Sequence, residues 1–136
     1  MLIYEYKKRV RYGETDKMGY LYYGQYPLLY EIGRAETMRF VGFTYQKMED
    51  TYQIMMPVVE LEARYLKPAR YDEELAIVTI MEELPTKMVQ FKHEIFNEQR
   101  VLLHKASVKL FFIDMQSGAR VSCPDDLTVI LAKWFS

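Results

Sequence analysis

The chain has 136 residues, with 18 basic and 19 acidic side chains and a formal net charge of −1. This length suggests one domain, residues 1–136, that can bury roughly two thirds of the surface its unfolded form exposes. A charge so close to zero gives no support to nucleic acid as a partner. The single cysteine, Cys123, cannot form an intramolecular disulfide and favours a reducing compartment, so we expect a cytoplasmic location.

No stretch of the sequence has the pattern of a secretion signal or a membrane span. Residues 1–5 contain no basic region that leads into an apolar run, as a signal peptide requires. The longest uninterrupted apolar segment, residues 110–113, is far shorter than the ~20 residues that cross a bilayer. We therefore expect no membrane partner.

The first half of the chain predicts a strand followed by a long helix. Residues 2–11 alternate between two faces and predict a strand with one face in solvent. Residues 25–41 change to steps of three and four, which predict a helix about 25 Å long. Glu31 and Arg34 lie largely off its apolar stripe, and Gly42 is a suitable end. The stripe consists of Tyr26, Leu29, Tyr30, Gly33, Thr37, Phe40 and Val41.

The second half of the chain predicts consecutive strands joined by short turns. A short helical turn or loop, residues 44–52, precedes them, and Pro57 should mark an edge or bulge near the first strand's start. The predicted strands are residues 54–66, 74–83, 87–96 and 101–114, with a short segment at 119–121 and a helix from Pro124. Short connections favour an antiparallel sheet, and the long helix must bury its stripe against one face of it. The fold class is therefore α+β with two layers.

The stretch from Tyr12 to Pro27 joins the first strand to the long helix and contains the best catalytic candidate. Asp16 lies in a turn there, and Pro27 lies just inside the helix, where a missing N–H has little effect. A helix start presents unpaired N–H groups that stabilise developing negative charge, while a nearby carboxylate can attack or deprotonate. The alternative is that Asp16 only closes a turn and that the tyrosines are core residues.

Other kinds of active site have little support in the sequence. There is no Gly-x-Ser-x-Gly motif and no glycine-rich phosphate loop. His93 and His104 lie in phase with apolar strand residues, so we interpret them as packed, hydrogen-bonded core residues. They have no Cys or acidic neighbours at ligand spacing, so neither a metal site nor a cofactor is expected.

Three basic residues near strand ends have two possible roles. Lys67, Arg70 and Lys87 could form a solvated rim, or they could bind an anionic ligand that carries phosphate groups.

The sequence resembles the hotdog-fold acyl-CoA thioesterases, with the 4-hydroxybenzoyl-CoA thioesterase and YbgC/FadM types as the nearest groups. The resemblance extends to Tyr65-x-Lys67-Pro68-Ala69-x-x-Asp72. Its most specific part is Val10-x-Tyr12-x-x-Thr15-Asp16-x-x-Gly19-x-x-Tyr22-x-x-x-Tyr26, followed by Tyr30-Glu31-x-x-Arg34. It implies a long central helix wrapped by a bent antiparallel sheet. It also implies subunits that pair through their sheets as a homodimer or homotetramer, with sites at the interface.

The same resemblance implies roles for individual residues. Asp16 would be the nucleophile or the general base for water, and backbone N–H groups around Tyr22, Tyr23 and Gly24 would polarise the thioester carbonyl. Many YbgC-type members have a histidine at the position of Tyr23, so no catalytic histidine is assigned here. Glu31 would lie near the distal end of the acyl group. The residues expected to bind the phosphates of coenzyme A are Lys67, Arg70 and Lys87.

We therefore expect an acyl-CoA thioesterase that releases a carboxylic acid and coenzyme A. The alternative is a non-catalytic hotdog module with an acyl-CoA-binding or regulatory role. A hotdog dehydratase is a third possibility, but it would require an Asp–His pair, and no histidine precedes the long helix.

Overall fold

The computed structural model describes residues 1–135 and contains a long helix against an antiparallel sheet. Single turns of 3-10 helix occupy Tyr12–Glu14, Tyr23–Gln25 and Ala132–Trp134. The helices are α1 (Tyr26–Val41), α2 (Tyr45–Tyr52) and α3 (Asp125–Leu131). The strands are β1 (Leu2–Arg9), β2 (Ile54–Met55), β3 (Val58–Tyr65), β4 (Glu74–Met81), β5 (Met88–Phe96), β6 (Leu102–Asp114) and β7 (Arg120–Val121). The predicted α+β class and hotdog fold are confirmed.

The strand order separates β3 from the strand that follows it in the chain. The sheet runs β1-β4-β5-β6, and β3 pairs with the other side of β6, from Val58 opposite Leu110 to Tyr65 opposite His104. The short strands β2 and β7 pair with the far end of β6. Residues 66–73, which connect β3 to β4, therefore cross from one edge of the sheet toward the other. This crossing places them beside the loop that precedes α1.

Helix α1 packs very closely on strand β4 at Gly33. A Cβ atom at this position would lie 2.7 Å from Thr79 Oγ1 and 3.0 Å from the Ile77 side chain. Only a residue without a side chain allows this approach. The helix ends at Gly42, whose φ of 89° is in the left-handed region.

The buried stripe of α1 differs from the predicted one at three positions. Met38 was not part of the predicted stripe, but it is buried. Phe40 was expected in the core, but its side chain is 54% exposed and stacks on Tyr4 at 4.8 Å. Arg34 was expected off the stripe, but it is only 5% exposed. At about 100° per residue, the buried arc moves round the axis by roughly 80° from the first half of the helix to the second. A twisted sheet that wraps the helix produces this drift, which a straight periodic pattern misses.

A layer of buried polar groups lies between two apolar clusters of the core. Tyr30 and Leu29 belong to the cluster near the start of α1, and Met38 belongs to the other. Between them, His93 Nδ1 lies 3.2 Å from Thr79 Oγ1, and His93 Nε2 lies 3.4 Å from a guanidinium nitrogen of Arg34. The prediction that the histidines are hydrogen-bonded core residues is confirmed for His93.

His104 is also buried, and it lies nearer the start of α1. Its Nδ1 is 2.5 Å from the Tyr30 hydroxyl, and its ring stacks on Tyr26 at a centroid distance of 4.1 Å. The prediction of a packed histidine is confirmed here as well.

No helix among residues 1–135 is both long enough and apolar enough to cross a membrane.

We expect the buried histidines to make folding stability depend on pH. Burial lowers the pKa of His93 to about 3 and that of His104 to about 4, because the charged imidazolium loses its hydration. An unfolded histidine has a pKa of about 6.5, so the unfolded state binds more protons as the pH falls below that value. The stabilisation is therefore complete above pH 6.5 and is lost as the pH falls toward about 4 for His104 and about 3 for His93. Urea titrations should show a loss of up to about 1.4 kcal/mol per pH unit for each histidine.

The matching observation is that neither imidazole titrates between pH 7 and pH 5 in proton NMR spectra of the folded protein. A folded-state histidine resonance with a midpoint near pH 6.5 would contradict the prediction.

Candidate active site

Asp16 closes a tight turn with one carboxylate oxygen and leaves the other free. Its Oδ1 accepts hydrogen bonds from the N–H groups of Met18 (2.9 Å) and Tyr20 (3.1 Å). Gly19 has a φ of 81°, which completes the turn, and its N–H donates to the Asp16 carbonyl. Oδ2 has no hydrogen-bond donor within residues 1–135. The carboxylate is therefore oriented by the backbone and still has an oxygen available for chemistry.

The Asp16 turn is attached to the segment that leaves β3. The N–H of Leu21 donates to the Ala69 carbonyl at 2.8 Å, and the N–H of Tyr71 donates to the Gly19 carbonyl at 2.9 Å. Leu21 and Ala69 are both buried, so water has little access to the bond between them. As a result, residues 16 and 67 line the same cavity although 51 positions separate them in the chain.

The backbone between the turn and helix α1 presents unpaired N–H groups. A turn of 3-10 helix over Tyr23–Gln25 leads directly into α1, closed by the Gln25 N–H donating to the Tyr22 carbonyl at 2.9 Å. The N–H groups of Tyr23 and Gly24 have no acceptor in the described part of the chain. They lie at the positive end of a 16-residue helix, where negative charge is stabilised.

A cavity of about 270 Å³ has Asp16 and Tyr23 in its wall, and Gly24 follows Tyr23 in the chain without lining the cavity itself. Asp16, Tyr23 and Lys67 line it, with Tyr26 and Tyr65 as aromatic walls. The sequence-based expectation assigned no role to Tyr65, although its motif was part of the resemblance. Its hydroxyl donates to the Tyr23 carbonyl at 2.9 Å, across 42 positions in the chain. No local pattern could reveal that contact.

The other expected site residues lie at varying distances from this cavity. Tyr22 was expected to contribute its N–H group, but this N–H donates to the Glu14 carbonyl at 2.9 Å and is not available to a ligand. Its side chain is 45% exposed and packs on Tyr23, with ring centroids 4.8 Å apart. The Arg70 guanidinium lies 5.0 Å above the ring of Tyr20, which is part of the cavity wall. Gly24 follows Tyr23 in the turn before the helix.

Glu31 lies on a second cavity, of about 260 Å³, farther along α1. Arg34 and Tyr45 also line it. Burial raises the pKa of Tyr45 to about 12, so its hydroxyl stays protonated at neutral pH. The structure therefore does not place Glu31 in the wall that contains Asp16.

Lys87 lies away from the other basic candidates. Tyr65 pairs with His104 on β6, whereas Met88, which follows Lys87, pairs with Phe111. Seven residues along a strand correspond to about 23 Å. Lys87 is thus separated from the Asp16 cavity by roughly that distance along the sheet. Residues 1–135 contain no group of three His, Cys, Asp or Glu side chains placed to hold a metal ion.

A carboxylate with a free oxygen, near unpaired N–H groups at a helix start, has the parts needed to hydrolyse a carbonyl compound. The N–H groups can stabilise an oxyanion, and the carboxylate can attack the carbonyl carbon or deprotonate water. The fold and site together therefore define a hotdog-fold hydrolase.

Comparisons with known proteins agree with this class. The "Thioesterase superfamily" pattern matches residues 18–104. The "Putative acyl-CoA thioesterase YneP" of Bacillus subtilis is 32% identical over 108 residues, which are 79% of this chain and 78% of that protein. A "Putative esterase" of Aquifex aeolicus is also 32% identical, over 93% of this chain and 95% of its own. The chain belongs to the thioesterase superfamily.

Similar solved structures share the whole architecture. The DHNA-CoA thioesterase of Staphylococcus aureus has a TM-score of 0.89 and 29% identity to this chain. The match covers 99% of this chain and 92% of that one. The fold described above is therefore shared from end to end with a thioesterase of known structure.

Proposed function

We propose that the protein hydrolyses acyl-CoA thioesters to a carboxylic acid and coenzyme A. The observation that carries the proposal is the free Oδ2 of Asp16, in a cavity that Tyr23 also lines next to the helix start. The names of the relatives, which include acyl-CoA thioesterases, support the choice of substrate class. A cytoplasmic location is part of the proposal and is supported by the single cysteine.

Asp16 has two possible roles in this reaction. As a nucleophile, it forms a mixed anhydride with the acyl group while the C–S bond breaks, and water then hydrolyses the anhydride. As a general base, it takes a proton from water, whose oxygen adds to the acyl carbon before the thiolate leaves and is protonated. In both routes negative charge develops on the acyl oxygen. The N–H groups of Tyr23 and Gly24 are the proposed donors to that oxygen.

The alternative functions differ in what they require of the site. A non-catalytic acyl-CoA module would need the cavity but not the free carboxylate oxygen. A dehydratase would need a histidine beside Asp16, whereas His104 is fully buried behind the Tyr26 ring and His93 is buried in the polar layer. The site therefore favours hydrolysis.

Substrate binding is proposed for the basic and acidic residues around the two cavities. Lys67 lines the Asp16 cavity and Arg70 lies against its wall, so both are suited to bind the phosphates of coenzyme A. Glu31 is suited to the distal end of an acyl group that extends along α1 into the second cavity.

We also propose that the protein is a homo-oligomer that assembles through β3. All eight residues of this edge strand are exposed, including Val58, Val59 and Leu61, which are 39–47% exposed. An edge strand with exposed apolar side chains and unpaired backbone groups is a template for pairing with another strand. A dimer joined at β3 would cover this edge and would bring a second chain close to the Asp16 cavity, which Tyr65 also lines.

Asp16→Asn should abolish turnover with little effect on folding. Asparagine keeps an oxygen that can accept the Met18 and Tyr20 hydrogen bonds, but it cannot act as nucleophile or base. We expect kcat for a short-chain or benzoyl-CoA substrate to fall by at least about 10²-fold, measured by thiol release. Thermal unfolding of the variant controls for folding. Thiol release at the parental rate by the variant would show that Asp16 is not the catalytic group. A wild-type protein that binds acyl-CoA but releases no thiol would favour the non-catalytic alternative.

Lys67→Gln should weaken coenzyme A binding, and Lys87→Gln is the matched control. We expect KM for an acyl-CoA to rise about fivefold in the Lys67 variant, which is the size of one exposed charge pair. KM for the corresponding acyl-pantetheine, which lacks the nucleotide phosphates, should not change. The Lys87 variant should behave like wild type with both substrates. An equal effect of the two substitutions would contradict the assignment.

Val59→Lys combined with Leu61→Lys should dissociate the oligomer. Like charges placed opposite each other across a β3–β3 pair would repel and would lose apolar burial. Light scattering coupled to gel filtration should show a dimer or larger assembly for wild type and a monomer for the variant. Val129→Lys, at a position on α3 that is 71% exposed, is the control and should leave the mass unchanged. A monomeric wild-type protein would refute the proposal.

A further inference from the structure

Tyr65 connects strand β3 to the peptide unit that precedes helix α1. Its hydroxyl donates a 2.9 Å hydrogen bond to the carbonyl oxygen of Tyr23. Burial, together with the nearby Tyr23, raises the pKa of Tyr65, so the phenol stays protonated and remains a donor. The bond thus joins the end of an edge strand to the backbone of the candidate site.

The acceptor of this bond and one of the unpaired donors are two ends of the same peptide unit. The Tyr23 carbonyl and the Gly24 N–H are coplanar and point in opposite directions, because a trans peptide bond is flat. A donor that holds the carbonyl oxygen therefore also sets the direction of the N–H. It polarises the unit as well, since hydrogen bonds in a chain strengthen one another.

We infer that Tyr65 is a positioning residue for thioester hydrolysis, because its hydroxyl orients and polarises the Tyr23–Gly24 peptide so that the Gly24 N–H can stabilise the oxyanion. This inference rests on the proposed function. Tyr65 acts through the peptide and not on the reacting atoms, so its removal should reduce the rate without removing the donor.

The Tyr65 ring is held by three other rings. It packs edge-on against Tyr26 at 5.2 Å and against His104 at 4.4 Å, both with interplanar angles of 82°. Its centroid lies 6.4 Å from that of Tyr23. These contacts involve the ring and not the hydroxyl, so a phenylalanine at this position keeps them. Tyr65→Phe therefore removes the hydrogen bond and little else.

The Tyr23–Gly24 peptide can be observed separately by NMR. Only two Tyr–Gly pairs occur in the sequence, Tyr12–Gly13 and Tyr23–Gly24. Protein labelled with carbonyl-¹³C tyrosine and ¹⁵N glycine gives just these two cross-peaks in an HNCO spectrum. In Tyr65→Phe, the Tyr23 carbonyl carbon and the Gly24 nitrogen should both move upfield. The Tyr12–Gly13 peak is the internal reference and should stay in place.

The kinetic measurement separates positioning from a structural role. We expect kcat of Tyr65→Phe to fall on the order of tenfold, less than the 10²–10³-fold loss that removal of an oxyanion donor causes. KM should change by less than a factor of two, because the donor contributes mainly in the transition state. Tyr71→Phe is the matched control, since both tyrosines are 53% exposed and the Tyr71 ring also packs edge-on against another tyrosine, Tyr12. It should keep the parental kcat.

Three results would overturn the inference. An unmoved Tyr23–Gly24 peak would show that the hydroxyl does not hold this peptide in solution. A moved peak with an unchanged kcat, or a rise in KM alone, would show that the contact does not serve catalysis. The spectrum needs no substrate. The Tyr23–Gly24 peak could differ between wild type and Tyr65→Phe while the wild-type protein hydrolyses no thioester. In that case the proposed function and the catalytic role of Tyr65 are both wrong, and only the contact between Tyr65 and the peptide is supported.

Discussion

Two backbone hydrogen bonds, between Leu21 and Ala69 and between Tyr71 and Gly19, join the loop before α1 to the segment after β3. Each contributes about 1 kcal/mol net to stability, but their larger effect is geometric. They bring the Asp16 turn beside residues 65–67, and the burial of Leu21 and Ala69 keeps water from competing for the first of the two bonds. The candidate site exists only because these two distant segments are held together.

The other half of the site depends on where the start of helix α1 lies relative to the sheet, and the close contact of Gly33 with β4 helps to set this position. A side chain there would collide with Thr79 and Ile77, so the helix axis can lie very close to the sheet. Because protein interiors are close-packed, a constraint at one contact also limits the positions of the neighbouring groups. The first turn of the helix is therefore positioned by a contact two turns away, and the N–H groups of residues 23 and 24 are positioned with it.

Periodicity was sufficient to predict the elements, because alternation and the 3.6-residue repeat are local properties. The long helix, the five long strands and the packed histidines were all predicted on that basis. Periodicity was insufficient to predict features that depend on the twist and the strand pairing of the sheet. The twist that buried Arg34 and exposed Phe40 is a property of neighbouring strands, and so is the pairing of β3 with β6. The role of Tyr65 depends on a contact across 42 positions, for which no sequence spacing gives a signal.

A site built largely from backbone places its constraints on unexpected residues. Under the proposed function, N–H groups polarise the carbonyl, so the reaction needs no side-chain donor at position 23 and a tyrosine can stand there in place of a histidine. Substitution is then restricted mainly at the residues that set the orientation of the peptide planes. A Cβ at Gly24 would lie 2.8 Å from the Tyr22 ring, so glycine lets that ring fold over the turn. Tyr65 then holds the same peptide from its carbonyl side. Under the proposed function, we therefore expect the residues around this one peptide bond to be the most sensitive to substitution after Asp16.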